Sequence, residues 1–258
     1  MNTPITRRTA VTALGAVLAT TATAFSESDS AAGVAPAEGR LNQSVCKWCY
    51  NLPLEELTAN AKAMGIQSVE LLTEKEWEVV QKGGLACAVA MGPSGIGDGW
   101  NRIADHDKLV KESERLLPLV KAANIPNMIV FSGNRRGLSD KDGIVNCAAG
   151  LKRITKLAEE LGVTVIMELL NSKRDHKDYQ CDHTSWGVEL AKEVGSPRFK
   201  LLYDIYHMQI MEGDVIDTIQ RNKDYIAHYH TGGVPGRAEI DDSQELNYKK
   251  IARAIADT

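Results

Sequence analysis

Thr164-Val165-Ile166-Met167-Glu168-Leu169-Leu170-Asn171 reads as an apolar strand that meets an acid near its C-terminal end and leaves through a polar residue. Two later stretches repeat the pattern: Tyr203-Asp204-Ile205-Tyr206-His207-Met208-Gln209, and His228-Tyr229-His230. A carboxylate at the end of a buried strand is costly unless it is paired or bound to a cation. Taken singly, Glu168 could be a buried acid satisfied by a helix end, Asp204 a cap for the helix that follows, and His230 a core histidine bonded to backbone. At successive strand ends they form a set of two carboxylates and an imidazole, a hard-to-borderline donor set suited to Mn²⁺, Mg²⁺ or Co²⁺.

Outward from these stretches the chain alternates strand-like and helical runs. Strands are expected at 43–46, 68–72, 85–91, 127–131, 164–170, 200–205 and 226–230. Helices are expected at 53–64, 75–81, 106–123, 143–161, 184–194, 215–222 and 247–257, with Gly65 ending the first. Such alternation implies a parallel sheet with helices outside it. Both doubly wound sheets and barrels satisfy that pattern, and the polar residues decide between them. They gather at the C-terminal ends of several different strands, where barrel enzymes keep their chemistry. The first strand also lacks the G-x-G-x-x-G turn of dinucleotide-binding sheets. The fold class read here is α/β, a (β/α)8 TIM barrel.

The bulk properties bound the partners. A chain of 258 residues with 43% hydrophobic and 25% charged residues is an ordinary globular composition. A net charge of −4 gives no electrostatic reason to expect nucleic acid or an anionic membrane as partner. Thr6-Arg7-Arg8-Thr9, an uncharged run from Ala10 to Phe25 and Ala22-Thr23-Ala24 have the order of a secretory signal, and the paired arginines make it a twin-arginine one. Residues 1–25 are therefore expected to direct export, 26–40 to form a flexible linker, and 41–258 to form the barrel, free of the membrane after cleavage. Cys46 and Cys49 form a C-x-x-C, but no second such pair or H-x-x-H completes a zinc site, so they are read as structural or mouth-lining residues.

Glu-Leu-Leu-Asn after the fifth strand, Tyr-Asp-Ile-Tyr-His-Met-Gln after the sixth and His-Tyr-His…Pro-Gly-Arg after the seventh resemble the hydroxypyruvate isomerase family, a branch of the xylose isomerase-like barrels that also include ketose 3-epimerases. The resemblance spans essentially residues 41–258. It implies a divalent metal bound by Glu168, Asp204 and His230, with Glu168 also the catalytic acid/base. It implies that His207 contacts substrate oxygens and that Arg237 anchors the far end of the substrate or a carboxylate. Asn171, Trp48 and Asn134 would help to wall the pocket, and His228 would orient its neighbours. The substrate would be a small sugar or hydroxy-keto acid, and a homo-oligomer is among the assemblies the resemblance allows.

The family's barrel continues past this chain's last helix into an eighth strand with Gly-x-Glu and an aromatic residue. Nothing after residue 247 matches it, so the chain is expected to be truncated before that strand. Glu245 precedes the final helix and reads as a structural residue or helix-terminal charge. The resemblance implies an aldose–ketose isomerase acting through an enediolate, with a ketose 3-epimerase of the same superfamily as its alternative, and two further functions stand beside these. A barrel that binds sugar or metal without turnover would follow from the missing glutamate. A metal-dependent endonuclease of the same fold would need further ligands and a basic groove that the acidic balance does not offer.

Overall fold

Residues 41–258 are described by the computed structural model; the leader and linker expected at 1–40 lie outside the described residues. The chain runs β1 (Ser44–Cys46), α1 (Leu54–Ala63), β2 (Ser68–Glu70), α2 (Glu74–Lys82), β3 (Ala86–Cys87), β4 (Val89–Met91), α3 (His106–Ala122), β5 (Asn127–Val130), α4 (Asp140–Leu161), β6 (Thr164–Glu168), α5 (Thr184–Val194), β7 (Phe199–Asp204), α6 (Ile205–Met211), α7 (Val215–Asn222), β8 (Ile226–His230) and α8 (Tyr248–Ala256).

Every strand pairing is parallel, in the orders β1-β2-β3 and β4-β5-β6-β7-β8. A bridge between Leu72 and Ala90, with Leu71 N donating to Val89 O at 2.9 Å and Met91 N to Leu72 O at 3.0 Å, joins the two sets. The result is a curled parallel sheet with helices between its strands, the TIM-barrel class expected. Central strands β5 and β6 are buried along their whole length, which explains why their sequences are nearly continuous apolar runs rather than alternating ones.

Local chemistry sets the helix boundaries. Thr73 and Glu76 form a reciprocal capping box at the start of α2. The Ser139 hydroxyl accepts from Asp142 N at 3.1 Å and starts α4 three residues before the expected onset at 143. Gly162 closes α4 at φ +70°, a conformation costly for any residue with a Cβ.

Two expectations need correction. The strand read as 85–91 is broken at Ala88 into β3 and β4, because its first half pairs with β2 and its second half with β5. Ile205 does not end a strand. It begins the helix α6, which starts with no loop because Asp204 closes β7 and caps the helix at once.

Candidate active site

The C-terminal ends of β2, β6, β7 and β8 deliver Glu70, Glu168, Asp204 and His230, each at most 6% exposed. Successive parallel strands in register place them side by side: Asp204 pairs with His230, and Glu168 with Leu202. His230 Nδ1 is 2.8 Å from Glu168 Oε1 and 3.8 Å from Asp204 Oδ2. One ligand atom from each of Glu168, Asp204 and His230 lies within 4.8 Å of the others. This donor set fits a divalent cation, since three buried hard-to-borderline ligands converge on one point from three rigid strands.

Electrostatics in the site follow from burial and pairing. Burial, opposed by His230 and Arg237, pushes the Asp204 carboxyl up to about 6. Burial alone would lower the His230 value, but Glu168 and Glu70 outweigh it and hold the ring protonated well above its ordinary range. A proton on His230 thus occupies the place that a cation would take between the carboxylates.

His207 opens the first turn of α6 and is fully buried. Its backbone N–H donates to Asp204 Oδ1 at 3.1 Å. Burial, reinforced by Arg237, lowers the ring to about 2, so it is neutral. Asn171 Oδ1 accepts from the backbone of Arg174 and Asp175, both at 3.0 Å, which turns its amide nitrogen onto His207 Nδ1 at 2.6 Å. A neutral ring accepts at only one nitrogen, so it takes the hydrogen bond of either Asn171 or Arg237 Nη1, which lies 3.0 Å from Nε2.

Arg237 Nη2 also reaches Asp204 Oδ2 at 2.9 Å, and its guanidinium stacks 4.9 Å from the centroid of Trp48 and 5.1 Å from that of Tyr206. Trp48 is 58% exposed and meets the site through this cation–π contact, as a mouth residue. Asn171 is fully buried beside the site, with its amide nitrogen 2.6 Å from His207 Nδ1 and 2.8 Å from Asp175 Oδ2. Asn134 binds Asn101 and Arg102 through its carbonyl in a neighbouring loop cluster. Glu245 is exposed and accepts from Gln209 at 3.1 Å, in keeping with a structural residue.

His228 Nε2 lies 2.6 Å from Oε2 of Glu70, a buried carboxylate absent from the sequence reading. Glu70 also lies 3.3 Å from His230 Nε2. The signal for it was present, because Glu70-Leu71-Leu72 repeats the Glu168-Leu169-Leu170 of the fifth expected strand.

A curled parallel sheet with acids and histidine at its strand ends is the arrangement of the barrel isomerases. The chain belongs to the xylose isomerase-like TIM barrel family, which it matches over residues 58–258. Over 87 residues it is 42% identical to 2-oxo-tetronate isomerase of Cupriavidus necator, a stretch that is 34% of this chain and 33% of that protein. Over 210 residues it is 24% identical to a putative hydroxypyruvate isomerase of Danio rerio, covering 81% of this chain and 72% of the relative. A crystal structure described as AP endonuclease, family 2, from Brucella melitensis superposes with a TM-score of 0.76 at 22% identity, covering 84% of this chain and 89% of that one. At that identity the likeness is one of fold.

Proposed function

We propose that the protein is a metal-dependent aldose–ketose isomerase acting on a small hydroxy-carbonyl compound, of the hydroxypyruvate or 2-oxo-tetronate kind. The convergence of Glu168, Asp204 and His230 carries this reading. A divalent cation held by these three residues would stabilise the negative charge that grows on neighbouring substrate oxygens. Glu168, at the end of a rigid buried strand, takes a proton from the carbon beside the carbonyl and returns it to the next carbon, through an enediolate. Arg237, whose Nη1 lies 3.0 Å from the neutral His207 ring, offers further N–H donors suited to a substrate oxygen beside that ring. Stacking between Trp48 and Tyr206 holds the guanidinium in place for a carboxylate at the far end of the substrate.

The test is solvent-proton exchange. The purified chain with Mn²⁺ is incubated in D₂O with hydroxypyruvate or 2-oxo-tetronate, and deuterium entry at the carbon next to the carbonyl is followed by NMR. Exchange that Glu168→Gln abolishes supports the reading. Binding of these compounds with no exchange would favour a non-catalytic barrel instead.

A further inference from the structure

Cys46 ends β1, and its thiol stands at the side of His230 that faces away from Glu168. Cys46 Sγ is 3.3 Å from Glu70 Oε1 and 4.0 Å from His230 Nε2, and that nitrogen is 3.3 Å from the same carboxylate oxygen. Metal–ligand bonds of about 2.0–2.3 Å at tetrahedral angles put neighbouring ligand atoms roughly 3.3–3.6 Å apart. The triangle already has nearly the dimensions of one face of a zinc site. Glu70 is only 2% exposed; its Oε2 lies 2.6 Å from His228 Nε2, which leaves Oε1 facing Cys46 and His230.

We propose that Cys46, Glu70 and His230 Nε2 form a second cation site, for zinc or a similarly thiophilic divalent ion, beside the Glu168–Asp204–His230 set. The C-x-x-C spacing could not show this, because the completing ligands come from β2 and β8, far away in sequence. Binding replaces the S–H bond of Cys46 by a sulfur–metal bond and the Nε2–H bond of the protonated His230 ring by a nitrogen–metal bond, and both protons go to solvent. One thiolate and one carboxylate then balance the charge of the ion. Cys49, three residues further on, is exposed.

The two sites share one ring, and a neutral imidazole ligates through only one nitrogen while the other keeps its proton. An ion on Nε2 leaves the Nδ1 proton on Glu168 Oε1, the 2.8 Å contact already present. An ion on Nδ1 leaves the Nε2 proton directed at Glu70. The sites are therefore alternatives, and a thiophilic ion displaces the hard one by taking His230 away from it. Cys46 lies outside the proposed isomerase machinery, so this inference and that reading can fail separately.

Cobalt is the probe. Titration of the metal-free full chain with Co²⁺ should produce a near-ultraviolet thiolate-to-cobalt charge-transfer band that saturates and that Zn²⁺ abolishes. Cys46→Ser should remove the band and weaken Zn²⁺ binding more than tenfold, whereas Glu168→Gln should keep the band. Co²⁺ binding without the band, or a band that survives in Cys46→Ser, overturns the proposal. A measurement on the unmutated protein guards against misfolding of the variant: Zn²⁺ should slow alkylation of Cys46 by iodoacetamide, read by peptide mass spectrometry, and Mn²⁺ should not. Equal alkylation rates with and without Zn²⁺ also overturn it.

Discussion

Glu70 is the residue whose replacement tests the site architecture most sharply. It touches no member of the Glu168–Asp204–His230 set except His230, at 3.3 Å from Nε2. When Nδ1 carries the ion, Nε2–H needs an acceptor, and Glu70 is the carboxylate placed to be one. Loss of such an outer partner typically weakens metal binding about 10- to 100-fold, or about 1.4–2.7 kcal/mol. The structure grades the effect between two variants. Glu70→Gln keeps an acceptor oxygen and loses only the charge, so Mn²⁺ affinity should fall about tenfold. Glu70→Leu leaves His230, His228 and Cys46 without their common partner in a buried space, so the loss should approach 100-fold. Free Mn²⁺ measured by electron paramagnetic resonance gives both constants directly. A folded Glu70→Leu protein that binds Mn²⁺ within about twofold of the unmutated chain would refute the outer-partner role.

Arg237→Met should raise KM for a carboxylate-bearing substrate well above tenfold with a smaller change in kcat, because the lost contacts anchor rather than react; steady-state kinetics reads the split. Asp182, held by Arg135 at 2.8 Å and Ser172 at 2.5 Å, has a carboxyl that burial would raise but these partners keep below its ordinary value. Its folded-state value lies below the unfolded one, so its contribution is complete above about pH 5 and is lost as pH falls through the folded value. Asp182→Asn should cost about 2–3 kcal/mol, discounted because Arg135 is partly exposed, or roughly 4–12 °C in Tm, and melting curves of the two proteins should converge toward pH 3. Gly99→Ala places a Cβ 2.3 Å from Phe131 O and 2.5 Å from Gly133 N, both backbone, and should destabilise by at least about 3 kcal/mol in urea unfolding. We propose that residues 1–25 direct twin-arginine export, in which case replacing Arg7 and Arg8 together by lysine should block it, measured by fractionation of the full chain.

What the sequence made legible was local. Strand–helix alternation, the acids at 168 and 204 and the histidine at 230 are visible because each ends an apolar run. The helix α6 was hidden because Asp204 performs two duties at one position, leaving no turn residues to announce a boundary. The break at Ala88 was hidden because it depends on which neighbour each half of the strand finds. Glu70 was legible through its repeat of the Glu-Leu-Leu at 168–170, but Cys46 was hidden for a related reason: it acquires meaning only when the curl of the sheet brings the end of β1 to β8, a contact across 184 residues between Cys46 and His230. No local spacing encodes that meeting.

Asp204 splits its two oxygens between jobs: Oδ1 receives the His207 N–H in the first turn of α6, while Oδ2 faces the cluster. A carboxylate tethered in this way cannot swivel to grip an ion with both oxygens without unfastening the helix that carries His207. A cation held here would have to be content with one oxygen from this residue, which would disfavour calcium, an ion that gathers six to eight flexible oxygens.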